Sequence, residues 1–371
     1  TSRGKVFLID QKLNILTIIK LFIKKNIITK LIYSKKKYKL DKNSISNTLK
    51  LFQCTSSTFN LITKYCLDHQ IDDISQEINN IENSFIRFKK LISKCKNIYY
   101  ISPFSFGLSG LIGEYLKSIN FKSLCIPHGT IKTGFLNKFE MIYNKEIAES
   151  IIDNKFSHVA IQSMLSNEAF NYFNKSSKKI ITEPICFSVL KNKPINSNIL
   201  YASTFKGENN MKFYGVETFD EYYETTRDLV NLFKNMNYNL IIQPHPTLKD
   251  NLSNEDIFNL FNISTKNVII SQDSFKENLK KSSLLISYSS TVLEECLLSN
   301  IPVIIYDKWN RYNHLSNFSG NQNKIINYFN NLNDFQVFLM SYQHDRQSNS
   351  MSDFKKFKIN LNHLEIDDSF L

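Results

Sequence analysis

Residues 283–306 read SLLISYSSTVLEECLLSNIPVIIY. The apolar run Ser283–Ser287 has the length of a buried strand, Thr291–Ser299 has the length and composition of a short helix, and Ile301–Tyr306 is a second β-branched run. Two buried strands joined through a helix read as a β-α-β unit, the crossover that neighbouring parallel strands require. This stretch therefore sets the expected fold class as α/β with parallel sheets.

The same rhythm extends in both directions. Asn198–Ala202 (NILYA), Tyr238–Gln243 (YNLIIQ) and Asn267–Ser271 (NVIIS) read as strands, with helices over Phe219–Asn235 and Phe275–Lys281. Upstream, Asn97–Ser102 (NIYYIS), 121–126 (FKSLCI), 156–162 (FSHVAIQ) and 178–182 (KKIIT) read as four more strands. A polar stretch, Lys191–Ser197, containing Pro194, separates the two sets. The expected organisation is a basic amphipathic element at 1–45, a Rossmann-like acceptor domain at 46–192, a Rossmann-like nucleotide-donor domain at 193–325 and a helical tail at 326–371.

A chain of 371 residues with 42% hydrophobic content has room for two cores. Its net charge of +12 favours anionic partners. No zinc finger, RNA-binding signature or dense arginine cluster accompanies that charge, so nucleic acid is not the expected partner. The six cysteines, at 54, 66, 95, 125, 186 and 296, form no CxxC pair and read as reduced thiols. No apolar run approaches the roughly 18–20 residues of a membrane span, and no signal peptide is read, so the expected location is the cytoplasm. Residues 11–40 carry only lysine as charged residues on an apolar pattern near helical period. They read either as a helix packed on the first domain or as a basic element lying on the anionic inner face of the plasma membrane. Helices are also expected over 45–97, one of them amphipathic around Ile74–Ile92.

Four motifs fall where a strand ends, which is where open parallel sheets bind ligands. Pro127-His128-Gly129-Thr130 follows FKSLCI. Gly129 admits close approach of a ligand, and His128 is a candidate proton acceptor or a turn histidine. Ser203-Thr204-Phe205-Lys206-Gly207 follows NILYA and suits phosphate contact or helix capping. Gln243-Pro244-His245-Pro246 follows YNLIIQ, and its two prolines fix the backbone around His245. Ser287-Tyr288-Ser289-Ser290-Thr291 runs into a helix carrying Glu294 and Glu295. Free N–H groups there suit an anion, and Glu294 suits ribose hydroxyls or, with Thr291, a capping box.

Gly107, Gly110 and Gly113 lack the dinucleotide fingerprint spacing and read as close packing or as an acceptor-facing loop. The donor-binding set is thus Ser203, Thr204, Lys206, Gln243, His245, Pro246, Ser287, Ser289, Ser290, Thr291 and Glu294. The acceptor set is Gly107, Gly110, Gly129 and Thr130. His128 is the first candidate for the catalytic base, with Glu183 and Glu114 as carboxylate alternatives. No DxD motif stands at a strand end, so no metal site is expected.

In order and placement, His128-Gly129-Thr130, Leu200-Tyr201-Ala202-Ser203-Thr204, Pro244-His245-Pro246 and Ser287-Tyr288-Ser289-Ser290 with Glu294 resemble the GT-B transferases of bacterial surface polysaccharide assembly. That resemblance covers about residues 95–310. It implies two Rossmann-like domains with parallel sheets facing across a cleft, a nucleotide-activated donor, a glycan or lipid-linked acceptor and no cofactor. One branch of these enzymes uses CMP-sugars of the Kdo or sialic acid type, and this is the leading expectation, with a capsule or lipopolysaccharide glycan as acceptor. The CDP-glycerol and CDP-ribitol phosphotransferases are the alternative, followed by a UDP-GlcNAc 2-epimerase-like enzyme or an inactive binding module.

Overall fold

A computed structural model describes residues 5–8, 27–30, 81–93, 95, 98–131, 133, 138–152, 155–190, 198–206, 217–249, 253–261, 263, 266–289, 291–311, 315, 325–342, 354–355 and 358. The chain divides into two compact units, one of residues 1–100 and 106–122, the other of 101–105 and 123–371.

In the first unit, strands β1 (Lys5–Leu8) and β2 (Ile27–Lys30) pair in parallel. The helical reading of 11–40 is therefore wrong at 27–30. The β-branched run Ile27-Ile28-Thr29 suits a pleated strand better than a helix. The rest of 11–40, and the helices expected over 45–80, lie outside the described residues. Residues 81–92 are helical, within the expected amphipathic segment. They pack Phe88 and Ile92 against Leu108, Ile112 and Leu116 of the helix Gly107–Ser118. That helix ends where Asn120 takes a left-handed φ of 59°, a conformation asparagine tolerates better than most residues.

The second unit holds two parallel sheets. The first has the order β3 (Tyr99–Ser102), β4 (Lys122–Cys125), β5 (His158–Ile161), β6 (Lys178–Ile181). β3 enters this unit through its last two residues. Helices Lys138–Ile151 and Met164–Phe173 connect these strands. Ser163 starts the second helix as its N-cap, accepting from the Ser166 N–H at 3.1 Å in a reciprocal capping box.

The second sheet contains β7 (Asn198–Ala202), β8 (Leu240–Gln243), β9 (Val268–Ile270), β10 (Ser282–Ser287), β11 (Val303–Tyr306) and β12 (Ile326–Phe329), in the order β12-β11-β10-β7-β8-β9. Successive residues of β7, β8, β10 and β11 feed opposite cores. Ile199, Tyr201, Ile242, Ile286 and Ile304 meet Tyr222, Leu229 and Phe233 of the helix Phe219–Phe233. Leu200, Ala202, Ile241, Leu285 and Ile305 meet Leu293, Cys296 and Leu297 of the helix Thr291–Leu298. Burial on both faces explains why these strands read as unbroken apolar runs rather than as alternating ones.

The sheet continues past the run that reads as its last strand. β12 pairs with β11 from Val303↔Ile326 to Tyr306↔Phe329, and the helix Leu332–Tyr342 adds Phe335 and Leu339 to the core. Residues 326–342 are thus part of the α/β layer and not a tail. The signal was weak because β12 is a four-residue edge strand, buried only at Ile326.

Every other expected strand is present, and two parallel α/β sheets in one chain are the elements of the GT-B class. Among the described residues no helix is long and apolar enough to cross a membrane.

Candidate functional site

In the second sheet the first strand, β7, lies beside the fourth, β10. Chain order reverses between them, so the helices that follow them pack on opposite faces of the sheet, the arrangement at which open parallel sheets bind ligands. Three of the expected motifs follow β7, β8 and β10. The order thus brings Lys206, His245 and Ser289 to one edge of one sheet.

His245 is half-buried and held from one side. Its Nδ1 accepts from the Thr247 N–H at 3.2 Å and lies 2.8 Å from the Thr247 hydroxyl, which in turn donates to the Lys206 carbonyl at 2.9 Å. In the tautomer in which Nδ1 accepts the Thr247 N–H, the ring proton is on Nε2. Burial, then the charge of Lys206, push the imidazole down to about 4. The ring is therefore neutral at pH 7, and in that tautomer it offers an Nε2–H donor. Pro246 is the first residue of the one-turn helix Pro246–Lys249, where its missing N–H costs no hydrogen bond.

The hydroxyls of Ser203 and Thr204 are turned inward, onto Glu217. Both are buried against Glu217, whose Oε2 accepts from the Thr204 N–H at 2.7 Å, Thr204 Oγ1 at 3.1 Å and Ser203 Oγ at 3.3 Å. Its Oε1 accepts from Tyr201 at 3.0 Å. Burial raises the Glu217 carboxyl, and these donors oppose that rise. The direct phosphate contact expected of Ser203 and Thr204 is thus replaced by a structural role, shaping the loop that carries Lys206. Gln243 is also internal: it accepts from Asn278 at 2.7 Å and donates to the Asp273 carbonyl at 3.3 Å. Ser287 donates to the Ala202 carbonyl at 2.8 Å and ties β10 to β7. Ser289 is buried beyond the end of β10, and Ser290 lies outside the described residues.

Glu294, one turn into the helix Thr291–Leu298, reaches the first sheet. Thr130, in the loop after β4, donates to its Oε2, and Ser163, after β5, donates to its Oε1. Burial pushes its carboxyl up to about 7, against the lowering effect of those hydroxyls and with a small rise from Glu295. Gly129 lies so close to Thr291 that a β-carbon would overlap the threonine γ-methyl. Further along, the Ser188 N–H donates to Glu295 Oε2 at 3.0 Å and the Leu190 N–H to Ser299 Oγ at 2.9 Å. In this state Glu294 contacts protein hydroxyls, not the open site expected for ribose.

His128 is exposed, its ring edge-on to Phe104 at 4.9 Å between centroids. The loop behind it is fixed by Gln162, which donates to the Pro127 carbonyl at 2.5 Å and accepts from Ile185 and Cys186 N–H at 2.7 and 2.9 Å. Glu183, in that same 182–186 segment, is exposed. Glu114 is exposed on the helix Gly107–Ser118 and belongs to the other unit, as do Gly107 and Gly110. Gly107 has a φ of 55° with open space around it, and Gly110 is buried in its helix.

Sequence reading missed Glu217, Gln162 and Ser163. A faint signal existed for each. Thr218-x-x-Glu221 and Ser163-x-x-Ser166 have capping-box spacing, and Glu217 and Gln162 each precede such a cap. Among the described residues no group of three His, Cys, Asp or Glu is placed to hold a metal.

No protein-family model matches the sequence, and no curated protein matches it. Several solved structures are similar in fold at low identity. The wall teichoic acid polymerase TagF is 12% identical with a TM-score of 0.42, over 69% of this chain and 66% of that one. A protein of Listeria monocytogenes described as a UDP-N-acetylglucosamine 2-epimerase is 11% identical with a TM-score of 0.46, over 92% and 80%. MurG of Acinetobacter baumannii is 11% identical with a TM-score of 0.45, over 95% and 86%.

Proposed function

We propose that this chain is a transferase that binds a nucleotide-activated donor at the carboxyl ends of β7, β8 and β10 and moves its group onto a surface glycan. The observation that carries the reading is the convergence of Lys206 and His245 beside the β7–β10 switch point. Lys206 supplies fixed positive charge, and His245 supplies a neutral N–H whose proton affinity rises when an anion arrives. The start of the helix Thr291–Leu298 adds the positive end of its dipole. Together they balance phosphate charge as it develops on the leaving nucleotide, without a metal.

The finer reading rests on the four motifs. They favour a cytidine-nucleotide donor, with a CMP-sugar as the first choice and a capsule or lipopolysaccharide glycan, free or lipid-linked, as acceptor. The pairing of His128-Gly129-Thr130 with Tyr201-Ala202-Ser203-Thr204 favours a CDP-polyol donor as the second reading. His128, exposed after β4, takes the acceptor proton. The chain works in the cytoplasm at the inner face of the membrane.

Calorimetric titration with CMP, CDP, UDP and GDP tests this directly. Binding of a cytidine nucleotide, weakened in Lys206→Ala and His245→Ala, is the expected result. A wild-type protein that binds none of the four at millimolar concentration, or variants that bind unchanged, would sink the reading. Product analysis with CMP-sugar and CDP-glycerol donors then separates the two donor classes.

A further inference from the structure

We propose that Thr130 and Ser163 hold Glu294 as the 2′,3′-diol of a ribonucleotide would, so that the protein opens to a ligand by exchanging one pair of hydroxyls for another. The inference rests on the nucleotide reading above and adds an internal competitor to it.

Three observations point there. Each carboxylate oxygen of Glu294 is met by one hydroxyl, and the two hydroxyls come from separate loops. Two neutral donors, one to each oxygen, are the pattern a cis-diol presents, and a carboxylate is the partner that ribose hydroxyls take in dinucleotide-binding folds. Glu294 is 2% exposed, and among the described residues no lysine or arginine pairs with it. A buried carboxylate must keep hydrogen-bond donors, so it releases two hydroxyls only to groups that replace both. Finally, the overlap awaiting a β-carbon at Gly129 shows that this contact has no spare volume. A ligand reaches Glu294 only when the loop of Thr130 and the first turn of the helix part. The Glu295–Ser188 and Ser299–Leu190 bonds lie further along the helix, so its later turn stays docked while the first turn is freed.

This makes Glu294 a specificity-determining residue. A ligand without the diol leaves the carboxylate with its internal partners or with none. The closed pair also lowers apparent affinity, because only the open fraction binds.

The test compares the tightest-binding nucleotide of CMP, CDP and UDP with its own 2′,3′-dideoxy form. Wild-type protein should prefer the ribonucleotide by about tenfold or more, the scale of a charge-assisted hydrogen bond, and Glu294→Ala should lose that preference. Thr130→Val keeps the shape of the side chain, removes one internal donor and should bind the ribonucleotide several-fold tighter. A readout free of substitutions is hydrogen exchange in wild-type protein, where nucleotide should speed exchange at 128–131. Equal affinity for ribo and dideoxy forms, or unchanged exchange at 128–131 under saturating nucleotide, overturns the exchange of hydroxyls while leaving the donor site standing. Absence of any nucleotide binding overturns both.

Discussion

Gly129 has no room for a β-carbon because the γ-methyl of Thr291 already fills that space. The loop after β4 and the helix after β10 are thus fitted to each other at one backbone position. Gly129→Ala should destabilise the protein by about 1–3 kcal/mol, the usual cost of overpacking. Thr291→Ser removes the obstructing methyl, and the double variant should recover most of the loss in a denaturant double-mutant cycle. Additive losses would mean that the strain lies elsewhere.

His245 titrates in a direction that can be read from stability. Its folded value of about 4 lies below the ordinary 6.5, so the unfolded chain binds more protons between those values. The stability this neutral ring provides is full above pH 6.5 and is lost as pH falls toward 4. His245→Gln should flatten that acid-side loss in thermal melts. For donor binding, His245→Ala should cost roughly 10–100-fold, the worth of a hydrogen bond to a charged group. His245→Gln, which keeps a donor, should lose less.

Glu294 has the opposite dependence. Its value is raised from 4.5 to about 7, so the folded protein binds more protons over that interval. Its favourable contribution is present below 4.5 and is lost as pH rises to 7. Comparing melting temperatures at pH 5 and pH 8, the drop in wild-type protein should shrink in Glu294→Gln. An unchanged drop would assign the titration to another group.

His128 is expected to act on turnover. If it removes the acceptor proton, His128→Ala should lose about 10²–10⁴-fold in kcat with donor affinity nearly unchanged. Wild-type turnover would move the search to Glu183 and then Glu114.

The parallel sheets were legible because burial on both faces writes itself as an unbroken apolar run, as in SLLIS and VIIY. β2 and β12 were not, since four-residue strands carry too little pattern to override a helical or polar neighbourhood. Lys206, His245 and Ser289 follow strand ends at one edge of the second sheet, as their motifs suggested, because position in a parallel sheet follows from strand order. Side-chain direction does not. Whether Thr204 faces a ligand or Glu217 depends on a residue 13 positions away, and whether Glu294 faces ribose or Thr130 depends on one 164 positions away. Local sequence holds no record of such distant partners.

The seam between β7 and β10 also governs how the chain comes together. Ser287 and Ala202, bonded across it, are 85 residues apart in sequence. During synthesis at about 5–20 residues per second, β7 leaves the ribosome several seconds before β10 exists to pair with it. Throughout that interval the edge of β7 that β10 later covers presents backbone N–H and C=O groups without their native partner strand. Substitutions that weaken β10 should therefore show first as chaperone dependence and poor recovery of newly made protein, before any change in the melting temperature of the molecules that do complete the sheet.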